Sequence, residues 1–473
     1  MIIKNGIVAL PGESNPSQVD IYIRRGKIVG LIESALHDKG IGSLGSQRDE
    51  LDEPIIDAAG MFVLPGAIDP HVHFDEPGFT DREDFLHGTS AAASGGVTTI
   101  IDMPCTSIPP ITNLTNLQRK LDIVSKKAVV DYGFFGGVSS QSFRNGFPDN
   151  LGEMAELILG VKTYLISGMK EFGQLDLYQL QCVLDECIDY GLPVLIHAED
   201  PSFIQSATEF AMKNGNGPNE YYQSRPELAE VLAVHSATAI AKELGADLHI
   251  VHISCAESCQ YLNGRNITGE TAPQFLEFTL EDFKNMGGTL KVTPPVKSSP
   301  NNSDLWTYLI QSKISFIASD HAPAPKEQKN TGSIWDDYAG IPGTGTMLPY
   351  IFSEGFLTGM LSMEELTNIT SFNAAKRYGL DDRKGSIAVG KDADFVLIDP
   401  SAKWVVKGDR FLSKGKVTPF EGYEFNGRIE KTIVRGKIVY DRLNGITVDP
   451  GYGQFLTRQE LDYDDIEEEV LDI

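Results

Sequence analysis

The chain has 473 residues, 41% of them hydrophobic and 22% charged, which is enough for one large domain with an accessory domain. No apolar run approaches the roughly 18 residues that a membrane helix needs, and the start "MIIKNGIVALPGESN" lacks the pattern of a signal peptide. The net charge of −26 argues against a nucleic-acid binder, which needs a basic face. Five cysteines without a C-x-x-C pair predict free thiols and a cytoplasmic protein.

Short runs rich in Ile and Val predict strands at both ends of the chain. The start contains "MIIKNGIVAL" and "QVDIYIRRGKIVGLIES", and the end contains "GSIAVGKDADFVLIDP" and "GRIEKTIVRGKIVYD". Because these two segments flank a different middle, they predict one small β-sandwich domain built from residues 1–64 and 384–473. The closing "DYDDIEEEVLDI" has seven acids in twelve residues and predicts a solvated tail.

The middle of the chain, residues 65–383, alternates between short apolar runs and stretches with helical spacing. Runs such as "GVTTIID", "LPVLIH" and "ISFIASD" alternate with segments such as "LAEVLAVHSATAIAKELG". Buried strands that alternate with helices predict a parallel sheet, and roughly eight such units fit an α/β fold of the (β/α)₈ barrel type. No G-x-G-x-x-G follows an early strand, which argues against a dinucleotide-binding fold.

Several apolar runs end at residues that suit a metal. In a parallel barrel the carboxyl ends of the strands open onto one face, where active sites lie. Each histidine alone could equally be a hydrogen-bonded residue at the rim, but their recurrence in strand order favours a common site. Imidazole and carboxylate together suit Zn²⁺ and similar divalent ions. The residues at the run ends are His71, His73, Lys162, His197, His252 and Asp320.

Lys162 is the unusual member of this set, because an ammonium group cannot bind a metal. One interpretation is a buried lysine stem beside an acid. The other is a neutral amine, since burial near cations lowers the pKa of a lysine. A neutral amine can react with CO₂ to give a carbamate, and a carbamate can bridge two metals.

The motifs "DPHVHFDEPG", "GVKTYLISG", "LIHAED", "IVHIS" and "ASDHAP", in this order, resemble the cyclic amidohydrolases of the amidohydrolase superfamily. That group includes dihydroorotase, allantoinase and hydantoinase/dihydropyrimidinase. The resemblance covers nearly the whole chain and implies a binuclear site, usually with zinc. It implies that His71, His73 and Asp320 hold the more buried metal and that His197 and His252 hold the outer one. N6-carboxylated Lys162 and a hydroxide would bridge the two metals.

The resemblance also implies a reaction. Two cations make hydroxide available near neutral pH, and the outer one polarises the carbonyl group of the cyclic amide. Asp320 would take the proton of the hydroxide and deliver it to the leaving nitrogen, which makes it the candidate catalytic residue. The neighbouring His321 would point away from the site and be structural.

Three positions separate the possible substrates. Dihydroorotase binds the carboxylate of its substrate with an Arg, an Asn and a His, and this chain has Asp75, Cys105 and Ala324 at those positions. Stretches such as "MPCTSIPPIT" and "KTYLISGMKEF" resemble allantoinase, whose substrate is an uncharged ring. Allantoin hydrolysis to allantoate is therefore the first expectation, with Ser167 and Lys297 as further candidate substrate contacts.

Two alternatives stay open beside allantoinase. Dihydroorotase or hydantoinase activity would use the same metal site on another ring. A catalytically inactive assembly protein of the dihydropyrimidinase-like type is the non-enzyme alternative, although all six candidate ligands are present. We expect a small cyclic amide as the substrate, no nucleic acid or membrane partner, and a homo-oligomer, either a dimer or a tetramer.

Overall fold

The chain begins with a group of short strands in which Ile and Val alternate with polar residues. The computed structural model describes residues 1–33 and 53–458, so the predicted acidic tail lies outside the described residues. Side chains such as Ile3, Val19 and Ile21 are fully or almost fully buried on one face. The strands are β1 (Ile2–Val8), β2 (Ser17–Arg24), β3 (Lys27–Glu33), β4 (Ile55–Asp57) and β5 (Phe62–Pro65).

Parallel strands form a closed barrel in the middle of the chain. They pair in sequence order, and β8 and β9 occupy one barrel position because only Phe135 separates them. A parallel bridge between Val72 and His321 joins the first strand to the last and closes the ring. The predicted (β/α)₈ barrel is therefore confirmed. Its strands are β6 (Ala67–Val72), β7 (Val97–Asp102), β8 (Asp131–Phe134), β9 (Gly136–Gly137), β10 (Val161–Tyr164), β11 (Val194–His197), β12 (Leu248–Ile250), β13 (Ile267–Thr271) and β14 (Phe316–Ile317).

Helices cover the outside of the barrel between these strands. The α-helices after the first five barrel positions are α1 (Phe85–Ser94), α2 (Leu114–Val124), α3 (Ser140–Arg144), α4 (Asp149–Gly152), α5 (Leu177–Tyr190), α6 (Pro201–Met212), α7 (Pro218–Ser224) and α8 (Glu227–Leu244). Later ones are α9 (Pro273–Glu277), α10 (Leu280–Met286), α11 (Ser299–Ile310), α12 (Met347–Tyr350), α13 (Met363–Thr367) and α14 (Asn373–Arg377). π-Helical turns at Ile351–Phe356 and Asn368–Phe372 extend the last group.

The ends of α5 show how local sequence sets these boundaries. Asp176 accepts a hydrogen bond from the Gln179 amide, and the Gln179 side chain returns one to Asp176, which forms a capping box. Gly191 ends the helix with a φ of 59°, a left-handed conformation that favours glycine. Within the described ranges, no helix has both the length and the apolar character that crossing a membrane requires.

The C-terminal strands complete the sheet that the N-terminal strands begin. They are β15 (Phe395–Val405), β16 (Glu424–Val434), β17 (Lys437–Asp441) and β18 (Gly445–Ile446). β15 runs antiparallel to β5, with Phe395 opposite Pro65, and the sheet order is β18-β17-β16-β15-β5-β1-β2-β3, with β4 paired to β1. The prediction that both chain ends build one β domain is confirmed. The boundaries at residues 64/65 and 383/384 stay a prediction.

A buried lysine connects the barrel to this β domain. The ammonium group of Lys384 lies 2.6 Å from Asp131, 2.9 Å from Asp392 and 2.7 Å from Asp394. Asp131 begins β8, and Asp394 directly precedes β15. Burial works to lower the pKa of Lys384, but the surrounding carboxylates outweigh it and raise this pKa. The charge therefore stays in the interior and ties three segments together.

Replacing Lys384 with Met should destabilise the fold strongly, because it leaves buried carboxylates without their shared cation. Breaking a buried ion pair from one side costs about 3–5 kcal/mol, and we expect this decrease in the free energy of unfolding. The control is Lys403→Met, which removes an exposed pair with Glu424 at 2.8 Å and should cost less than about 1 kcal/mol. Denaturant titration measures both, and equal losses would contradict the prediction.

Candidate metal centre and active site

The closed barrel brings four histidines and one aspartate to its carboxyl-end mouth. His71 is the penultimate residue of β6, and His197 is the last residue of β11. His252 follows β12 by two residues, and Asp320 follows β14 by three. Strand ends that are far apart in sequence are neighbours here because parallel strands share one face.

His71, His73 and Asp320 form the first cluster of potential ligands. One ligand atom from each lies within 4.8 Å of the others. Oδ1 of Asp320 is 3.3 Å from Nε2 of His71 and 3.5 Å from Nε2 of His73. Burial works to raise the pKa of Asp320, but the two imidazoles outweigh it and hold this pKa well below its usual range. The cluster thus combines an anionic oxygen with two nitrogen donors, a set that suits zinc.

His197 and His252 form the second cluster. Nδ1 of His197 faces Nε2 of His252 at 2.9 Å, and both side chains are almost completely buried. Burial lowers the pKa of His197 and lowers that of His252 well below its ordinary value. Neutral imidazole is the form that binds metal, so this pair also fits a cation.

Lys162 lies in β10, which pairs with the strand that ends in His197. Its ammonium nitrogen is buried, has no hydrogen-bond partner among the described residues, and sits 4.7 Å from the centre of the Tyr164 ring. It acts electrostatically on His71, His197 and His252, which places it near both groups of ligands. Burial lowers the pKa of Lys162 to about 8. A buried amine without a partner needs an explanation, and the surrounding ligands suggest one.

Glu270 and His249 form a supporting layer that the sequence reasoning missed. The Glu270 carboxylate is hydrogen-bonded to Nδ1 of His71, and its other oxygen lies 3.2 Å from Nε2 of His249. Nδ1 of His249 in turn lies 2.8 Å from the Thr268 hydroxyl. Such partners fix the orientation of a ligating imidazole. The sequence did offer one indication, since Glu270 and His249 lie inside apolar runs. Burying a polar side chain there costs free energy unless it has a partner.

A matching contact supports the second cluster. Oε2 of Glu199 lies 2.8 Å from Nε2 of His197, and the Arg225 guanidinium donates to the same oxygen. Burial works to raise the pKa of Glu199, but Arg225 and His197 outweigh it and lower this pKa to about 2. Each cluster therefore has one buried carboxylate behind a histidine.

Glu270→Gln should weaken metal binding, because an amide supports the His71 imidazole less well than a carboxylate. Loss of such a partner typically costs about 10–100-fold in metal affinity. The matched control is Glu277→Gln, since Glu277 accepts hydrogen bonds from Tyr350 and Tyr423 away from the clusters. Metal titration of both variants measures the effect, and equal affinities would contradict the positioning role of Glu270.

The expected substrate contacts are distributed unevenly around the clusters. Asp75 and Cys105 lie next to them: Sγ of Cys105 is 3.8 Å from Nδ1 of His73 and 3.0 Å from the Tyr164 hydroxyl. Neither oxygen of the buried Asp75 carboxyl has a hydrogen-bond partner among the described residues. Ala324 is buried in the loop after Asp320.

Ser167 and Lys297 have partners of their own. The Ser167 hydroxyl donates to the Phe172 carbonyl oxygen at 2.6 Å. The Lys297 ammonium is buried and donates to the Arg225 carbonyl oxygen at 2.9 Å. Their roles as substrate contacts stay predictions.

Tyr338 is a further residue at the mouth that the sequence reasoning missed. Its pKa is raised by burial and by the nearby carboxylates of Asp75 and Asp320. Its position in the loop after Asp320 carries no recognisable motif, so no sequence signal pointed to it. The centre of its ring lies 4.5 Å from the guanidinium carbon of Arg82.

Residues 62–439 match the amidohydrolase family. The chain is 33% identical to an allantoinase of Rubrobacter xylanophilus over 94% of this chain and 98% of the relative, and 32% identical to one of Escherichia coli over 97% and 99%. Its fold is similar to an L-hydantoinase (dihydropyrimidinase) from Arthrobacter aurescens, with a TM-score of 0.87, 29% identity, and coverage of 96% of this chain and 99% of that one. Dihydropyrimidinase from Brevibacillus agri gives a TM-score of 0.85 at 29% identity, covering 96% and 98%. With its site and its sequence in agreement, the chain belongs to the amidohydrolase family.

Proposed function

We propose that the protein hydrolyses allantoin to allantoate at a binuclear metal centre. Relatives named allantoinase match nearly the whole chain, and the family consists of hydrolases. The observation that carries the choice of substrate is the buried Asp75 carboxyl without a hydrogen-bond partner. Such a group favours a neutral substrate that donates hydrogen bonds over one that carries a carboxylate.

The donor set supports two divalent cations, for which zinc is the proposed metal. His71, His73 and Asp320 would hold one cation, and His197 and His252 the other. A carboxylated Lys162 would bridge them, which accounts for a buried amine that otherwise has no partner. Divalent cations bound there supply a water of lowered pKa and a Lewis acid for the amide carbonyl.

Asp320 is the proposed proton carrier. Its low pKa keeps it ionised, so it can accept a proton from the attacking water. The same carboxyl then delivers this proton to the ring nitrogen as the C–N bond breaks. The loop position after β14 leaves its side chain 12% exposed, enough to face a substrate.

Dihydroorotase and hydantoinase remain the alternative functions. Dihydroorotate would bring a carboxylate beside the buried carboxyl of Asp75, and repulsion between two buried groups of the same sign is unfavourable. Hydantoinase is favoured by the structural similarity to the L-hydantoinase. It differs from the main proposal in the substituent on the ring rather than in the reacting amide. An inactive assembly protein would have no use for six converging ligands.

We also propose the setting in which the enzyme works. Its five cysteines are free, which suits a reducing cytoplasm.

Its exposed apolar side chains on α5, α6 and α8 include Tyr178, Phe210 and Leu228, and they support a homo-oligomer, a dimer or a tetramer.

Lys162→Ala should remove metal and activity together, because it deletes the proposed bridge. The loss should exceed the about 100-fold that removal of an outer supporting group costs. Short-chain carboxylic acids should restore part of the turnover by standing in for the carbamate. Metal analysis and rate measurements test this.

The matched control is Lys291→Ala, a buried lysine whose ammonium donates to the Asp337 carbonyl oxygen. This variant should keep its metal. A Lys162→Ala protein with two metals per chain and the wild-type rate would show that the bridging role is wrong.

The metal-loaded protein should open allantoin far faster than dihydroorotate. A site that leaves a substrate's polar group unpaired can discriminate by about 10⁴-fold, and we expect a ratio of kcat/KM of that order. A panel of allantoin, hydantoin, dihydrouracil and dihydroorotate measures it at one pH and one metal concentration. Equal or better kcat/KM with dihydroorotate would refute the allantoin assignment.

A further inference from the structure

Asp75 and Arg82 flank the mouth of the metal site without contacting each other. Phe79 links the two residues, because its amide donates to the Asp75 carbonyl oxygen at 2.9 Å and its ring centre lies 4.6 Å from the guanidinium carbon of Arg82. The described residues nevertheless show no ion pair between the two side chains. A hydrogen-bond acceptor and a donor therefore lie on the same short segment after the histidine pair and are not paired with each other.

We propose that Asp75 and Arg82 together bind the ureido arm of the substrate, an assignment that rests on the proposed function. A ureido group carries N–H donors at one end and a carbonyl acceptor beside them. The carboxyl oxygens of Asp75 accept from the N–H groups, and the Arg82 guanidinium donates to the carbonyl oxygen. This pair selects the arm, whereas the metal clusters act on the ring.

The Asp75 carboxyl is built to accept hydrogen bonds from a ligand. It is fully buried, and neither oxygen accepts a hydrogen bond of normal geometry from the described residues, while the Thr106 hydroxyl lies near enough to lower its pKa. Its φ of 47° turns the chain sharply after the histidine pair, and the Phe79 amide donates to its carbonyl oxygen at 2.9 Å. Asp and Asn adopt this left-handed conformation more readily than most residues other than glycine.

The Arg82 guanidinium is held in place but keeps free donors. Its carbon lies 4.6 Å from the centre of the Phe79 ring and 4.5 Å from that of Tyr338, so the group is sandwiched between two rings. Nε donates to Oε1 of Gln328 at 3.0 Å. Its Nη groups donate to no residue in ranges 1–33 and 53–458. Tyr338, which stacks on this guanidinium, lies near enough to Asp75 and Asp320 for their carboxylates to raise its pKa.

The charges of the pair explain why a neutral arm fits better than an ionic one. A carboxylate arm would pair with Arg82 but be repelled by Asp75. An ammonium arm would pair with Asp75 but be repelled by Arg82. A group with donors and an acceptor but no net charge satisfies both residues. Ureido and amide groups have this character.

Comparison of allantoin with hydantoin tests the subsite, because hydantoin is the same ring without the arm. Arg82→Met keeps the stacked apolar stem and removes the donors. A hydrogen bond to a charged group contributes about 1.5–3 kcal/mol, or about 10–150-fold. We therefore expect the allantoin-to-hydantoin ratio of kcat/KM to fall by at least tenfold. Asp75→Asn, which tolerates a positive φ, should lower the ratio in the same direction.

The matched control is Arg119→Met, an exposed arginine on α2, which should keep the wild-type ratio. Thermal unfolding and metal content of each variant separate a folding defect from a loss of selectivity. Wild-type enzyme that prefers allantoin, with both site variants keeping that preference, would overturn the subsite alone. Wild-type enzyme that opens hydantoin but not allantoin would overturn the proposed function and the subsite with it.

Discussion

Closure of the barrel between its first and last strands is the constraint on which the site depends. Val72 bridges to His321, the His73 amide donates to the His321 carbonyl oxygen at 2.8 Å, and the Ser319 amide donates to Asp69 at 3.0 Å. These bonds join residues about 250 positions apart in the chain. They bring Asp320 against the first histidine pair, and without them the anionic ligand would be separated from its neighbours. His321 itself turns outward to Glu83 at 3.1 Å, in line with a structural role.

The buried charged groups of this protein differ in their partners and in their roles. Surrounding carboxylates stabilise the charge of Lys384, and these ion pairs hold the barrel and the β domain together. Glu270 and Glu199 orient the imidazoles of the site, because Glu270 binds Nδ1 of His71 and Glu199 binds Nε2 of His197. Lys162 and Asp75 have no hydrogen-bond partners among the described residues, and both lie beside the metal ligands, which fits groups that bind a ligand or a carbamate.

The positions at the ends of strands could be predicted from the sequence, because parallel strands share one carboxyl face whatever their exact register. That argument predicted His197, His252 and Asp320 together without a structure. It could not predict Glu270 or Arg82, whose importance depends on which side chain lies across from which. The family resemblance suggested Ser167 and Lys297 as substrate contacts, but their hydrogen bonds to backbone carbonyl oxygens are visible only in three dimensions. The residue type at the end of a strand can be read from the local sequence. Which side chains from distant segments contact each other cannot.

The pairing of β5 with β15 has a consequence for how the protein is made. During synthesis β5 emerges about 330 residues before its partner, since Pro65 pairs with Phe395. At about 5–20 residues per second, its free edge stays open for roughly 15–70 seconds. Open strand edges attract other chains, so the nascent protein is most vulnerable to aggregation in this interval. Translation speed and chaperone supply, rather than the stability of the finished fold, would then limit the yield of active enzyme.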